Sequence, residues 1–246
     1  QLKTIVSSGG INGVHVGKRF NFEQTTTDAQ TVINDSSINT VFITTRHDTH
    51  AYYVKEAINA GKHVFVEKPL CLTHEELEEL KKLNYDNKIL MVGFNRRFAP
   101  HIQKMKELLG TTAQPKTMVM LVNAGYIPAD HWTQDPKVGG GRIIGEACHF
   151  IDLLRFLAGS KIKSIQGVKI GDTSSEVTDD KATITITFED GSIGTVHYFA
   201  NGHKSYPKEK LEVFVGGKIL SLDNFKTLYG YGWSSFKKMK LRSQDK

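Results

Sequence analysis

The chain has 246 residues, 39% of them hydrophobic, and a formal net charge of +6 from 32 Lys and Arg against 26 Asp and Glu. That is enough apolar material for one large or two ordinary cores, but the longest apolar runs, such as Val64–Val66 and Ile89–Val92, fall far short of the roughly 20 residues that span a bilayer, so a membrane helix is excluded. The basic residues are interleaved with acids instead of gathered in a patch, which speaks against a nucleic-acid partner.

The first residues, Gln1 to Val6, lack the basic start, apolar middle and small-residue cleavage site of a signal peptide. Cys71 and Cys148 have neither disulfide-framework nor metal-type spacing, and a reducing cytoplasmic setting is the expectation. Leu2–Val6 reads as a short buried strand, followed by a Ser7-Ser8-Gly9-Gly10 loop that can bring backbone close to a ligand. Thr27–Asn34 suits a short helix and Ser36–Asn39 a turn. The β-branched run Thr40–Thr44 predicts a strand covered on both faces, with a polar cluster, Thr44 to His50, at its carboxyl end. Apolar residues at 51, 54, 57 and 58 form a helical stripe that Ala60-Gly61 ends. His63–Val66 is the next strand and stops at Glu67-Lys68-Pro69; Thr73 with Glu76 forms a capping box for a helix to about Asn84; Ile89–Gly93 is a further strand. Such alternation predicts an incomplete doubly wound, Rossmann-type parallel α/β sheet, in which ligands bind beyond the strands' carboxyl ends.

After a helix at Pro100–Leu109 the pattern changes. Thr117–Val122, Ile162–Ile170, Ala182–Phe188, Ile193–Phe199, Leu211–Val215 and Lys218–Leu222 read as strands, with hairpin turns at Glu189–Ser192 and Gly216-Gly217 and one helix at Ile144–Leu157. An α+β domain with a mostly antiparallel sheet is expected over 99–246, after a nucleotide-binding domain over 1–98. The densest basic group, Lys237, Lys238, Lys240 and Arg242, reads as a solvated tail. A dinucleotide fold opens with strand, GxGxxG and helix. "SSGGINGVHVG" lacks that spacing and follows what looks like a second strand, so the chain reads as a piece of a longer polypeptide, without the first βα unit and without a helix beyond Gln244-Asp245-Lys246.

"TVFITTRHDTHAYYVKEAINAGKHVFVEKPL", "VGFNRRFAP" and "GGGRIIGEACHFIDLLRFLAG" together resemble the Gfo/Idh/MocA oxidoreductases, the family of glucose-fructose oxidoreductase and inositol dehydrogenase. The resemblance covers nearly the whole chain. It implies an NAD- or NADP-dependent dehydrogenase that moves a hydride between nicotinamide and a hydroxyl-bearing carbon of a sugar or polyol, commonly as a homo-oligomer. The lysine of EKP, here Lys68, then reaches the nicotinamide and the substrate hydroxyl, and an ammonium aimed there stabilises charge on the oxygen. His149 then contacts the reacting hydroxyl as base or relay. Glu67 lies beside the lysine; Thr44, Thr45 and Arg46 match the strand end that packs the cofactor, and His50 matches a family histidine at the next helix start.

The match is incomplete. Many relatives carry Asp where Gly145 stands, and Glu146 is the adjacent substitute. Asp152, on the same helix, either holds a substrate hydroxyl or orients His149. Arg96 and Arg97 begin the crossing to the second domain, one toward cofactor or substrate and the other toward an interdomain ion pair; Trp132 is a sugar-stacking wall or a core residue. His47 and His50 share HxxH spacing without a third ligand, so no metal is expected. Ser7 and Ser8, at the end of the second strand, supply no acid for ribose hydroxyls, which leaves NAD and NADP open. The alternative from a different class is a catalytically weak ligand- or partner-binding module of the same fold.

Overall fold

The computed structural model describes residues 1–171, 177 and 179–241; Arg242 of the basic group and the residues 244–246 lie outside this range. Two units divide the chain, Gln1–Gly93 and Phe94–Lys246.

The first unit runs β1 (Thr4–Val6), α1 (Gly10–Phe20), β2 (Gln24–Thr26), α2 (Ala29–Asn34), β3 (Thr40–Ile43), α3 (His50–Asn59), β4 (His63–Val66), α4 (His74–Lys81) and β5 (Leu90–Val92). The expected alternation is present, spread over two parallel sheets, β1–β2 and β3–β4–β5. Helix α1 and strand β2 go beyond the sequence expectation. The helix buries Gly13 and Gly17 where others bury an apolar stripe: a Cβ at Gly17 would stand 2.5 Å from Thr25 Cγ2. Val54, Ala57 and Ile58 of α3 share one apolar cluster with Ile43, Val64 and Val66 of the three-stranded sheet. Coverage on both faces, expected for β3, is not what the fold gives. Phe42, Phe65 and Met91 are neighbours in register and face the other way, and Phe42 is 69% exposed. Strand alternation sends successive residues to opposite faces, and the described helices cover one of them.

Helix α4 starts in the capping box expected from the sequence. Thr73 Oγ1 accepts from the Glu76 N–H at 3.1 Å, and Glu76 Oε2 accepts from the Thr73 and Leu72 N–H groups at 3.2 and 2.8 Å. Removing a cap of this kind costs about 1 kcal/mol. Thr73→Ala is therefore expected to lower the urea midpoint with an unchanged m-value; an unchanged midpoint would show that the cap adds nothing.

The second unit contains α5 (Pro100–Leu109), β6 (Thr117–Asn123), α6 (Cys148–Ala158), β7 (Ile162–Lys169), β8 (Lys181–Phe188), β9 (Ile193–Phe199), β10 (Glu209–Val215), β11 (Lys218–Asp223), β12 (Thr227–Tyr231) and β13 (Lys238–Lys240). Among the described residues its eight strands form one sheet in the order β13-β12-β11-β10-β6-β9-β8-β7, antiparallel except for the β6–β9 pair. Met118, Met120 and Val122 alternate onto the face where Ile102, Met105 and Leu109 of α5 and Leu153, Leu154 and Leu157 of α6 complete the core. The β10–β11 hairpin turns through Gly216 and Gly217 at φ 53° and 74°, a pair of positive values that non-glycine residues resist. Lys238 and Lys240, expected in a solvated tail, lie instead in edge strand β13, and Lys238 Nζ lies 5.0 Å from the Tyr229 ring centroid. Edge lysines of this kind discourage strand addition from outside. No helix among the described residues is long and apolar enough to cross a membrane.

Candidate functional site

In the first unit the parallel register aligns Ile43, Val66 and Val92, so the next residues of each strand, Thr44, Glu67 and Gly93, are neighbours at the carboxyl ends. Backbone bonds hold them there: the Glu67 N–H donates to Ile43 O at 2.9 Å and the Gly93 N–H to Val66 O at 2.8 Å. The Glu67 carboxylate lies against Gly93, where a Cβ would come within 3.0 Å of Oε2. Lys68 is half-buried and Pro69 buried, while Thr44, Thr45 and Arg46 are exposed.

His50 ties the two polar loops together. Its ring is fully buried, with Nδ1 2.7 Å from Pro69 O and Nε2 3.1 Å from Thr45 O. Both nitrogens thus face backbone carbonyls, and His50 bridges the Thr45 loop and the Lys68-Pro69 turn. The Thr49 hydroxyl adds bonds to Thr45 Oγ1 at 2.6 Å and Arg46 O at 2.8 Å. His47 is buried beside His50, ring centroids 5.7 Å apart, and no group of three His, Cys, Asp or Glu among the described residues could hold a metal ion. At the end of β1, the Ser7 N–H donates to Thr26 O at 3.1 Å and the Ser7 hydroxyl to Gly9 O at 3.2 Å, while Ser8 is exposed. Gly9, the N-cap of α1, provides no side-chain bond, so the first N–H groups of that helix face outward.

In the second unit the glycine run before α6 packs on its own loop. A Cβ at Gly139 would stand 2.5 Å from Trp132 O and Thr133 Cα, and half-buried Trp132 lies on that loop with its ring 5.9 Å from that of His131. Residues Ile143–Ala147 form a π-helical turn, not the first turn of the expected α-helix. His149 follows in α6, edge-on to Phe94 with ring centroids 6.1 Å apart.

Four expected site residues, Glu146, Asp152, Arg96 and Arg97, are paired inside this unit. Glu146 accepts from Arg142 Nε and Nη2 at 3.1 and 3.2 Å and from the Tyr198 hydroxyl at 2.5 Å. Arg142, 2% exposed, also donates to Gly125 O at 2.6 Å and Ala124 O at 3.2 Å, and lies 3.8 Å from Asp180, which Gln134 bonds at 3.1 Å. Burial, then the negative charge of Glu146, pushes the Tyr198 phenol well above its usual range. Glu146 therefore stands in a hydrogen-bonded network with Arg142 and Tyr198. Asp152, 8% exposed, is held by Arg97 through Nε at 2.6 Å and a second bond from Nη2. The two groups of that pair thus hold each other within the second unit. Arg96 Nη2 pairs with Glu209 Oε1 at 2.5 Å and stacks over Phe225, 4.7 Å to the centroid. Burial raises the Glu209 carboxyl, against the pull of Arg96. Arg96 and Arg97 thus each have a carboxylate partner within the second unit. Arg142 and Tyr198 were not singled out from the sequence. The i,i+4 spacing of Arg142 and Glu146 was a readable signal; Tyr198 carried none.

Comparison with known proteins supplies the last observation. A family model described as "Oxidoreductase family, NAD-binding Rossmann fold" matches residues 1–94, and one described as "GFO/IDH/MocA C-terminal domain" matches residues 103–218. The chain is 30% identical over 209 residues to the uncharacterized oxidoreductase YrbE of Bacillus subtilis, covering 82% of this chain and 60% of that protein. It is 27% identical over 217 residues to the myo-inositol 2-dehydrogenase of Thermotoga maritima, covering 84% and 63%. The chain thus spans about 60% of the length of such curated relatives. A solved levoglucosan dehydrogenase, in complex with NADH and levoglucosan, shares the fold at a TM-score of 0.81 and 24% identity, over 97% of this chain and 71% of that one.

Proposed function

The chain belongs to the Gfo/Idh/MocA family of oxidoreductases, and we propose that it serves NAD(P)-dependent hydride transfer at a hydroxyl-bearing carbon of a sugar, sugar derivative or cyclitol. The observation that carries the reading is Lys68 at the carboxyl end of β4, on a turn whose carbonyl His50 holds and beside the exposed Thr44–Arg46 loop. Parallel α/β sheets bind ligands at that end.

The first unit suits a dinucleotide. The hydroxyls of Thr44, Thr45 and Ser8 and the guanidinium of Arg46 offer polar contacts for ribose and diphosphate, and the outward N–H groups at the start of α1 suit an anion. Bound nicotinamide would supply the hydride acceptor. Lys68 then donates a hydrogen bond to the substrate oxygen and stabilises the negative charge that grows there as hydride leaves carbon. His149 takes the hydroxyl proton, since imidazole exchanges protons near neutral pH. Trp132 serves as an apolar wall for a ring substrate. NAD is the first choice of cofactor: no arginine stands beside Ser7 and Ser8 to hold a 2′-phosphate. The sugar and cyclitol class follows relatives named for myo-inositol and levoglucosan.

The test is to incubate the purified protein with NAD or NADP and a panel of sugars and cyclitols and follow reduced-nicotinamide absorbance. Absorbance is expected to rise with NAD and at least one polyol. A flat trace for every combination, with the protein folded, would contradict the reading.

A further inference from the structure

We infer that Glu146 is a positioning residue: with Arg142 and Tyr198 it locks the π-helical turn Ile143–Ala147 and thereby sets the ring of His149. A π-turn interrupts the regular i→i−4 ladder, so it persists where its surroundings hold it, and such turns recur at functional sites. Here the lock brackets the turn. Arg142 stands immediately before it and Glu146 within it, joined by two hydrogen bonds. The arginine is fixed from behind by two backbone carbonyls, Ala124 O and Gly125 O, at the exit of β6. Tyr198, buried in the middle of the sheet on β9, fastens Glu146 to the core through its hydroxyl, and the Arg142 guanidinium lies 5.4 Å from the same ring.

The carboxylate thus receives three donors from two side chains. A general base needs a lone pair directed at the substrate proton, whereas these donors hold Glu146 as a structural anion. His149 lies three residues past Glu146, at the start of the α-helical ladder that the turn launches. A change in the turn rotates every side chain beyond it by the same step, so the lock sets the direction of the imidazole.

The inference rests on the proposed role of His149, and its test separates the two. In protein labelled with ¹⁵N-histidine, the His149 side-chain resonance is assigned by its loss in His149→Gln. Tyr198→Phe and Glu146→Gln are each expected to shift that resonance while leaving the His50 resonance in place, whether or not the protein turns over. An unmoved His149 resonance in both folded variants would overturn the lock.

Kinetics on the polyol that gives turnover form the second arm. Each variant is expected to lose about 10- to 100-fold in kcat, the range for misplacement of a reacting group, with the cofactor KM and the limbs of the pH profile unchanged. If Glu146→Gln removes a limb of the pH profile while Tyr198→Phe keeps full activity, Glu146 is itself the acid–base group and the inference fails. If His149→Gln is fully active while its resonance still answers to Tyr198→Phe, the lock stands and the catalytic reading of His149 falls.

Discussion

Lys68→Ala is expected to lower kcat about a thousandfold while leaving the protein folded. Removing a preorganised donor from a developing oxyanion typically costs about 10²- to 10³-fold, and loss of an aligned proton carrier a similar factor. The structure separates this effect from stability. Lys68 is half-buried at a strand end, and the elements that fix its turn, Pro69 and the buried ring of His50, remain when the ammonium is removed. The melting midpoint should therefore correspond to a change within about 0.5 kcal/mol. Lys68→Arg tests the geometry further, because a planar fork cannot place a point charge where an ammonium does. Full turnover in Lys68→Ala would remove the lysine from the chemistry.

Asp152→Ala is expected to destabilise the second unit by about 3 kcal/mol, the lower part of the range for breaking one side of a buried ion pair. The partner left behind is Arg97, whose side chain is 30% exposed and whose guanidinium lies 5.5 Å from the Phe156 ring centroid. Partial access to water keeps the cost from being larger. Urea unfolding measures it, and Asp152→Asn, which retains an acceptor for Arg97, should recover part of the loss. The substrate KM of the folded Asp152→Asn variant should stay unchanged. A raised KM with undiminished stability would return Asp152 to the substrate.

The parts of this molecule that local chemistry dictates were legible in the sequence. Thr73 and Glu76 announced a capping box, Gly216-Gly217 a hairpin, and the 51, 54, 57 and 58 stripe the helix that covers the parallel sheet. Helix α1 was not legible, because it packs through buried glycines and leaves Ile11 and Val14 exposed, the reverse of the usual signal. Strand β13 was hidden for a related reason: Lys-Met-Lys has little to bury and takes its order from pairing with β12. The candidate site divides along the same line. Lys68 and His149 could be singled out from a short motif and a helix start. The commitments of Arg96, Arg97 and Asp152 could not, since Arg97 meets Asp152 across 55 residues and Arg96 meets Glu209 across 113, partners that only the fold brings together.

Isotope transfer tests the hydride chemistry itself. With the polyol selected by the absorbance panel deuterated at its carbinol carbon, the deuterium is expected on C4 of the reduced nicotinamide, read by mass spectrometry of the isolated cofactor. Deuterium released to solvent during turnover, with none on the nicotinamide, would contradict hydride transfer.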